Sequence, residues 1–361
     1  MEIVKLNRQK LNDFIHSDEY KTMPNIPISF HRAISHINNP RVQDDDTLLI
    51  LVYETELIGY LGIIPDLVFV NNIPERMAWM SCIWIHPNAR GKGIAKKMTE
   101  LSVELYNNKI LATEYTPVAE TLYNKLGKFD DLVIKKGVRI FRRSCMQKVL
   151  PARYPKAAFL FPFLSLHDTI INLFHDPFLK RKNSVSKNYE IELLEEPDES
   201  CIKFAENFYQ VELTRRSHKE LEWFFNFHWI KETISDSLQS KRYHFSSESR
   251  SFKTIAVKIS QDNELIAFLI VTVRDKHIKT PYLYVKPNHE EVVNETINNI
   301  MCEHNIEILT SYQNAIQNHF NKSISFLNSK SISRKYLQSK GFNLKVTETM
   351  LQDGDGDCGF V

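Results

Sequence analysis

The order of strands and turns in the first half of the chain returns in the second half. The segment SCIWIHPN ends in Pro87-Asn88, and TPYLYVKPN ends in the same way in Pro287-Asn288. Each follows two apolar runs joined by a polar turn, DTLLILVYETELIGYLGIIP in one half and SFKTIAVKISQDNELIAFLIVTV in the other. Each precedes a short strand that ends in tyrosine, LATEY or ILTSY. An internal repeat of this kind predicts two domains of one fold.

The length of 361 residues agrees with two domains, because a single hydrophobic core rarely extends over so long a chain. Apolar positions at helical spacing predict helices over 92–107 and 117–126, and Gly127 stands where the second helix would end. We predict an α/β (α+β) fold with two domains, each a mixed, mostly antiparallel sheet flanked by helices. The predicted boundaries are 1–145 for the first domain, 146–188 for a connector and 189–361 for the second domain.

Composition excludes several classes of protein. The formal net charge of +2 gives no overall basic field for nucleic acid. The five cysteines are isolated in sequence and lack metal-ligand spacing, so we predict no metal site. Their odd number favours a reducing, cytoplasmic compartment. The opening segment MEIVKLNRQK lacks the apolar core of a signal peptide.

The connector 146–188 is rich in proline and aromatic residues, and we expect one or two short helices in it. Between Leu132 and His167 the chain carries eight Lys or Arg residues and no acidic residue. A solvated basic face is the preferred interpretation, and an anionic ligand or a weak peripheral contact with an acidic membrane surface are the alternatives. The most apolar stretch, AAFLFPFLSLHDTIINLF, contains proline, histidine and aspartate, so we predict no transmembrane segment.

The segment RGKGIA joins a predicted strand to a predicted helix. The first turn of a helix presents unpaired N–H groups with partial positive charge, and glycines let the backbone approach an anion closely. The arginine and the lysine add positive charge at the same place. A phosphate cradle is therefore predicted, with a simple tight turn as the alternative. The residues of this cradle are Arg90, Gly91, Lys92, Gly93, Ile94 and Ala95.

The stretch IHPNARGKGIAKKM resembles the acetyl-CoA-binding motif of the GNAT acetyltransferase superfamily. That motif has Arg or Gln, two residues, Gly, one residue, and Gly or Ala; Arg90, Gly93 and Ala95 occupy those places. The spacing differs from the dinucleotide-binding fingerprint and from the Walker loop. The resemblance implies acetyl-CoA as the acyl donor, with its pyrophosphate at residues 90–95. It also implies that the pantetheine arm pairs with the splayed end of the preceding strand, at Cys82, Ile83, Trp84 and Ile85.

The segment VAETLYNKLGKF is similar to the GNAT pattern Ala-x-x-Leu-Tyr-x-x-x-Gly-Phe, with Lys128 inserted before Phe129. In the family this tyrosine commonly protonates the departing CoA thiolate, so the resemblance makes Tyr123 the candidate acid. A phenol with a pKa of about 10 can donate a proton to a thiolate of similar basicity. A half-buried tyrosine bonded to a carbonyl group is the structural alternative.

The general base must take a proton from the ammonium group of the acceptor. Glu114 is the first candidate, because it ends the strand after the cofactor helix, where the sheet splays in this fold. Glu75 and His86 are the next candidates. A water chain and residues of the second domain are further alternatives.

The second copy lacks these features. The offset between the copies falls from 200 residues at the shared proline to 197 at the shared tyrosine, so three residues (200 − 197) are missing where the first copy carries ARGKG. The segment HEEVV stands there, and its two carboxylates would repel a pyrophosphate. Alignment of KYLQSKGF with LYNKLGKF places Leu337 where the first copy has Tyr123. We therefore predict that the second domain does not use CoA and has an acceptor-site or scaffold role.

Two other segments have more than one interpretation. DGDGD, residues 353–357, is interpreted as an acidic turn, and a role in binding the acceptor or a calcium ion is the alternative. The aromatic segment LEWFFNFHWIKE is interpreted as core or domain interface, and a carbohydrate-binding face is the alternative.

These observations predict an acetyl-CoA-dependent N-acetyltransferase that acts on a primary amine of a small molecule. The tandem plan, the basic connector and the acidic final segment resemble bacterial acetyltransferases associated with surface polysaccharides. That resemblance implies an amino sugar or a nucleotide-linked amino sugar as acceptor. An aminoacyl or acyl transferase of the cell-wall type and a non-catalytic CoA-binding sensor or scaffold are the alternatives. The sequence predicts no particular oligomeric state.

Overall fold

The computed structural model describes residues 1–179, 188–233, 242–323 and 326–360. The chain divides into two compact units that are not continuous in sequence. The first unit contains Met1–Lys135, Glu206–Phe252 and Arg334–Val361, and the second contains Lys136–Ala205 and Lys253–Ser333. The predicted boundaries at 145 and 188 follow the sequence repeat rather than these units, and they stay a prediction.

The described residues form alternating strands and helices. The strands are β1 (Glu2–Leu6), β2 (Leu49–Tyr53), β3 (Leu57–Val70), β4 (Ile73–Ile85), β5 (Ile110–Ala112), β6 (Phe129–Phe141), β7 (Tyr189–Leu194), β8 (Lys231–Glu232), β9 (Glu248–Ser249), β10 (Phe252–Gln261), β11 (Glu264–Arg274), β12 (His277–Val285), β13 (Ile308–Ser311) and β14 (Asn328–Ser339). The helices are α1 (Arg8–His16), α2 (Asp18–Thr22), α3 (Phe30–Asn38), α4 (Ile94–Leu105), α5 (Pro117–Leu126), α6 (Met146–Arg153), α7 (Phe161–Leu179), α8 (Glu199–Glu206), α9 (His218–Asn226), α10 (Glu290–Glu303) and α11 (Asn314–Ser323).

The sheet of the first unit has the strand order β1-β2-β3-β4-β5-β14. Its neighbours pair antiparallel, except that β4 and β5 pair parallel. Side chains alternate between the two faces along β2. Leu49 and Leu51 pack in the cluster that contains α1 and α3, whereas Ile50 and Val52 pack in the cluster that contains α4 and α5. The sheet of this unit is therefore covered by apolar packing on both faces.

The sheet of the second unit has the order β6-β13-β12-β11-β10-β7, and β12 and β13 are its parallel pair. Its core is formed by β-branched and aliphatic side chains of the strands and by the buried stripe of α10. Ile297 and Met301 of that stripe are buried completely. The turn at Asp262 and Asn263, predicted between two apolar runs, joins β10 to β11, and both residues have positive φ.

The two copies contain the same elements in the same order, with the series β2-β3-β4-α4-β5-α5 matching β10-β11-β12-α10-β13-α11. The predicted fold class and the tandem arrangement are confirmed. The final strands are exchanged, however: β6 of the first copy pairs with β13, and β14 of the second copy pairs with β5. This exchange explains why the compact units are not continuous in sequence.

The connector contains α6 and the long helix α7, whereas one or two short helices were expected. Residues 180–187 of the predicted connector lie outside the described residues. The segment Pro155–Leu179 is long and apolar enough, by length and composition alone, to cross a membrane, and 6% of its apolar 18-residue window is buried. The sequence interpretation gave too little weight to this length, because it counted the proline and the aspartate as interruptions.

Candidate active site

The loop after β4 leads directly into α4. Gly91 and Gly93 have φ angles of 83° and 77°, in the left-handed region that residues with a side chain rarely adopt. Gly93 is the N-cap of α4 and provides no side-chain hydrogen bond to the first turn. A Cβ atom at either glycine would meet no atom within 4 Å, so the space beside the loop is open. The loop therefore presents backbone N–H groups at an open surface.

Positive side chains surround this helix N-terminus. Arg90 and Lys92 are exposed, whereas Ile94 is 2% exposed and fixes the first turn of α4 in the core. The ammonium group of Lys92 lies 3.4 Å from the carboxylate of Glu54, and both side chains are about half exposed. Such surface ion pairs contribute little free energy, so Lys92 can exchange Glu54 for an anionic ligand. The arrangement fits a pyrophosphate.

A bulge in β4 lies near the end of the strand, between Ser81 and Trp84, shortly before the loop. Tyr60 of β3 faces Trp84, but Gly62 faces Ser81, so β4 carries one extra residue between them. Cys82, at this bulge, has a φ of 52°. Parallel pairing with β5 ends at Met80 and Ala112, although β4 continues to Ile85. Among the described residues, the stretch Cys82–Ile85 therefore has no partner strand on the β5 side, and its N–H and C=O groups can pair with an extended ligand.

Tyr123 lies on α5, where the sequence placed it. Thr116 caps this helix through a bond from the Ala119 N–H to its Oγ1 at 3.3 Å, and Gly127 ends the helix with a φ of 61°. Tyr123 is 4% exposed. Burial raises its pKa, and the charge of Asp357 and the neighbouring Tyr115 raise it further. The phenol therefore stays protonated at neutral pH and can act as a proton donor.

The predicted bases lie in different surroundings. Glu114 lies two residues after the end of β5 with a φ of 52°, and its carboxylate accepts a 2.7 Å bond from Nε of Arg334. Glu75 lies near the start of β4 and pairs with Lys109 at 2.6 Å, away from the bulge. His86 accepts a bond from the Asn88 N–H in the turn that follows β4. Of the three, Glu114 alone lies beside the place where β4 and β5 separate.

Sequence reasoning missed a polar cluster at the bulge. Arg32 of α3 is 2% exposed and donates to Oγ of Ser81 at 2.6 Å and to Sγ of Cys82 at 2.8 Å. Its guanidinium lies 3.7 Å from the centre of the Trp229 ring, a cation–π contact. Ser81 in turn donates to Oδ2 of Asp357 at 2.5 Å. No spacing in the sequence relates these residues, because Ser81 and Asp357 are 276 positions apart.

Asp357 thus places a carboxylate at the bulge of β4. Burial raises the pKa of this carboxyl, and the Arg32 guanidinium and the Ser81 hydroxyl oppose that shift. A carboxylate with a raised pKa is a stronger base than an ordinary aspartate. After burial, its charge contributes to the raised pKa of Tyr123.

The DGDGD segment is held in place by buried ion pairs. Asp353 lies 2.9 Å from the ammonium group of Lys135, and Asp355 accepts a 2.6 Å bond from Thr214 and lies 3.3 Å from Arg216. Asp355 is fully buried. The segment is a turn, as predicted, but its first carboxylates are buried and paired instead of solvated. Within the described ranges, no group of three His, Cys, Asp or Glu side chains is arranged to hold a metal ion.

The aromatic segment packs in the interior, as its preferred interpretation predicted. Trp223, Phe224 and Trp229 are nearly or fully buried. The ring of Phe360 lies 4.7 Å from the ring of Trp223 and stacks on Trp229 at the same distance. This packing holds Phe360, which follows Asp357 in the sequence, in the interior of the unit.

The second copy lacks the glycine loop. Helix α10 begins three residues after Pro287 (290 − 287), whereas α4 begins seven residues after Pro87 (94 − 87). Its N-cap, His289, has a φ of −112°, and two glutamates occupy the first turn. Negative charge at this position stabilises the helix and disfavours a pyrophosphate.

The alignment of Leu337 with Tyr123 is wrong. Leu337 lies in β14 and pairs with Ala112, because Asn314–Ser323 already provides the helix that follows β13. The matching element of α5 is α11. Tyr123 stands eight residues after Tyr115, and the residue eight places after Tyr312 is Phe320. Phenylalanine has no hydroxyl group, so the second copy still lacks the candidate acid.

Comparison with known proteins agrees with this reading. Residues 13–127 match the model of the acetyltransferase (GNAT) family. No curated protein sequence matches the chain. Among solved structures, a probable N-acyltransferase from Enterococcus faecalis V583 is 9% identical, with 98% of this chain and 73% of that chain covered and a TM-score of 0.52. At this identity, the likeness shows the fold alone.

Two further structures have lower TM-scores. A GCN5-related N-acetyltransferase from Kribbella flavida is 11% identical, with 93% of this chain and 71% of that chain covered and a TM-score of 0.48. A tandem GNAT protein from the clavulanic acid biosynthesis pathway is 12% identical, with 94% and 98% covered and a TM-score of 0.48. The family match makes residues 13–127 a domain of the GNAT acetyltransferase family, and the chain is an acyltransferase in which a second copy with the same order of elements follows that domain.

Proposed function

We propose that this chain transfers the acetyl group of acetyl-CoA to a primary amine of a small molecule. The observation that carries the proposal is the combination, within one unit, of an uncapped helix N-terminus at Gly93 and an unpaired strand edge at Cys82–Ile85. The first suits a pyrophosphate, and the second suits an extended chain with amide groups. Acetyl-CoA contains both and supplies an acetyl thioester when it is bound.

The donor would be held by backbone groups and by two cations. The first-turn N–H groups of α4, together with Arg90 and Lys92, would bind the pyrophosphate. The edge of β4 runs from Ile85 beside the loop to Cys82 at the bulge. An extended donor that begins at the loop and follows this edge ends beside Ser81 and Asp357.

Tyr123 is the proposed acid. When the acceptor nitrogen bonds to the acetyl carbon, the carbon–sulfur bond breaks and the sulfur carries the electron pair. Tyr123 donates its phenolic proton to that sulfur, and the nitrogen, which still carries two protons after attack, loses one to solvent as the amide forms. The Tyr123 phenolate then regains a proton from solvent. Burial first of all raises the pKa of Tyr123, which keeps the phenol protonated at neutral pH. Burial also raises the pKa of a thiol, so a thiolate formed in the same surroundings would be basic enough to accept that proton.

Asp357 is the proposed base. It would bind the ammonium group of the acceptor and take one of its protons, which frees the nitrogen lone pair for attack. Three features support it: the bond from Ser81 beside the bulge, the raised pKa of its carboxyl and its electrostatic effect on Tyr123. Glu114, the base predicted from the sequence, stays a candidate, but an ammonium group would have to compete with Arg334 for its carboxylate.

An amino sugar, free or nucleotide-linked, is the proposed acceptor class. Trp84 stacks on His244 with ring centres 4.5 Å apart and an angle of 12°, and Tyr60 stacks on Trp84 at 5.3 Å. Tyr60 is completely buried, whereas His244 is exposed at the end of this stack, next to the proposed donor edge. The face of an exposed aromatic ring can bind the apolar face of a sugar ring, which supports this class over a simple alkyl amine.

A thiol-release assay tests the proposal. The full chain is incubated with acetyl-CoA and a panel of alkyl amines, amino acids, amino sugars and nucleotide-linked amino sugars, and the acetylated product is identified by mass spectrometry. We expect turnover with an amino sugar and loss of turnover in an Arg90→Glu/Lys92→Glu variant. Tight acetyl-CoA binding without turnover on any amine would instead favour a sensor.

A further inference from the structure

Helix α7, in the second unit, packs its polar side chains against the protein. Asp168, Asn172 and Asp176 recur every fourth residue and so lie along one face. Asp168 accepts bonds from the hydroxyl of Ser144 at 2.6 Å and from the N–H groups at the start of α6 at 2.9 Å. Asn172 accepts from the N–H of Ser144 at 2.8 Å. Hydrogen bonds therefore fix the inner face of α7.

Asp176 completes this inner face through an ion pair. Its carboxylate lies 2.9 Å from the guanidinium of Arg143. At the end of the helix, the carbonyl oxygen of Leu179 accepts a 2.9 Å bond from Arg142. These contacts connect the second half of α7 to residues 142–147, which follow β6 and begin α6.

The opposite face of α7 is apolar and exposed. Phe163 is 73% exposed, Leu173 71% and Phe174 72%. The other exposed apolar side chains of this face, which we call the outer face, are Leu166, Ile170 and Phe178, and Phe159 extends it before the helix. A helix of a water-soluble domain buries its apolar stripe and exposes its polar one. In α7 the polar face is buried and the apolar face is exposed, so the outer face needs a partner that is itself apolar.

Basic residues border the outer face at one end. Arg153 and Lys156 are exposed in the turn that leads into α7, and the exposed ring of Tyr154 lies between them in sequence. The two acidic residues of α7, Asp168 and Asp176, belong to the inner face. The exposed surface of α7 is therefore mainly apolar, with His167 and Thr169 as exposed polar residues and with a positive border at Arg153 and Lys156. Such a surface complements acyl chains and anionic headgroups.

We propose that the outer face of α7 lies in the interface of an anionic lipid bilayer, with the helix parallel to the membrane surface. A membrane-spanning orientation does not fit, because Asp168, in the middle of the helix, caps α6 and would have to be withdrawn from those bonds. Interfacial helices bury one apolar face at the level of the headgroups and place aromatic and basic side chains at its border. Tyr154, Arg153 and Lys156 match that border.

Vesicle sedimentation with the full chain tests this proposal. Vesicles of phosphatidylcholine are compared with vesicles that contain one third phosphatidylglycerol. We expect binding to the anionic vesicles that decreases as salt is raised. A Phe163→Ser/Phe174→Ser variant should bind at least about a hundredfold more weakly, since two buried phenyl groups are lost. An Arg153→Gln/Lys156→Gln variant should lose roughly tenfold to thirtyfold, since each cation near the surface contributes about a factor of five.

Ile73→Ser is the matched control, because Ile73 is 68% exposed but lies at the tip of the β3–β4 hairpin. It should bind as the parent does. Circular dichroism checks that each variant is folded, which the exposure of the altered side chains leads us to expect. If the parent binds neutral and anionic vesicles equally, and the Arg153→Gln/Lys156→Gln variant binds as the parent does, the proposed preference for an anionic surface is wrong. A dimer that the double phenylalanine variant dissociates, with no vesicle binding, would overturn the lipid partner and assign the face to a second copy.

Discussion

The two copies of the fold differ most in the turn between the parallel strand and the helix that follows it. In the first copy, a loop with two left-handed glycines and two exposed cations precedes α4. In the second, α10 begins within three residues of Pro287 and starts with two glutamates. The strands, the parallel pairing and the helix are kept in both. The fold therefore does not require the glycine loop, which is best explained by a ligand.

The bulge shows a similar contrast. Both copies lose register between the hairpin strands, at Ser81 to Trp84 in the first and at Lys279 to Tyr282 in the second. Positive φ occurs at this position in the first copy alone, at Cys82, as far as the described residues show. The bulge belongs to the fold, whereas the left-handed residue and the polar cluster around it belong to the first copy.

Tyr123→Phe should have the largest effect on activity. It gives the first copy the residue type that the second copy has at Phe320, and so removes the proposed acid. We expect kcat to fall by about a thousandfold, as is typical when a positioned acid is removed. The affinity for acetyl-CoA should not change. Steady-state kinetics and calorimetry measure the two quantities separately.

Tyr115→Phe is the matched control for that variant. The rings of Tyr115 and Tyr123 lie 5.6 Å apart, and the Tyr115 hydroxyl is buried without a hydrogen-bond partner in the described structure. Removal of this hydroxyl should leave kcat within about threefold of the parent. An equal loss in both variants would assign the effect to packing and remove Tyr123 from the acid role.

Asp357→Asn should have the next largest effect. We expect kcat/KM to fall by about a hundredfold, because the amide cannot accept the ammonium proton. In the parent, burial raises the pKa of Asp357, so activity should be lost on acidification at a higher pH than an ordinary aspartate would give. The variant should lack that acidic limb. Its pH–rate profile is therefore the decisive measurement.

Glu114→Gln provides the comparison for the base. It removes one partner of the Arg334 ion pair but leaves Asp357 in place. We expect a smaller loss of activity and an acidic limb that is kept but moves to lower pH, because, after burial, the charge of Glu114 contributes to the raised pKa of Asp357. If Glu114→Gln removes the limb and Asp357→Asn keeps it, the base is Glu114.

Local patterns made much of the first copy predictable. The spacing of RGKGIA and the capping residues around 117–126 each depend on neighbours within one turn, so they can be read directly from the sequence. The limits of α5 and its Gly127 cap were found in this way. The acetyl-CoA role of the loop came from resemblance to a family, because glycine spacing alone also describes a tight turn.

Features that depend on distant residues could not be predicted. Arg32, Ser81 and Asp357 meet from three parts of the chain, and nothing in the composition of α3 or DGDGD marks them as neighbours. The exchange of β6 and β14 was hidden because both strands suit either sheet. Leu337 was misaligned for the same reason. The segment KYLQSKGF resembles LYNKLGKF over a few residues, but the order of helices and strands, which depends on the whole fold, places Leu337 in β14.

Gly93→Ala should weaken acetyl-CoA binding by about tenfold, since an alanine in the left-handed region costs about 1 to 2 kcal/mol. Gly93→Asn should weaken it less, because asparagine tolerates this conformation. Titration calorimetry should give one site per chain in the parent. If both variants lose affinity equally, the glycine is required because the ligand approaches the backbone closely, and not because of its φ angle. If calorimetry finds a second acetyl-CoA site per chain, the prediction that the second copy does not bind CoA is wrong.

The smallest effects are expected at the helix that replaces the loop. Glu290→Gln should lower the free energy of unfolding by about 0.3 to 1 kcal/mol, because a carboxylate in the first turn interacts favourably with the helix dipole. Glu291→Gln should lower it less. Burial and then the charge of Glu291 raise the pKa of Glu295, one turn later, so removal of Glu291 also relieves a repulsion. Urea unfolding, with hydrogen exchange of the α10 amides, measures both. If both first-turn variants are neutral, the glutamates of the second copy are not explained by helix stability, and a ligand of their own would have to be sought.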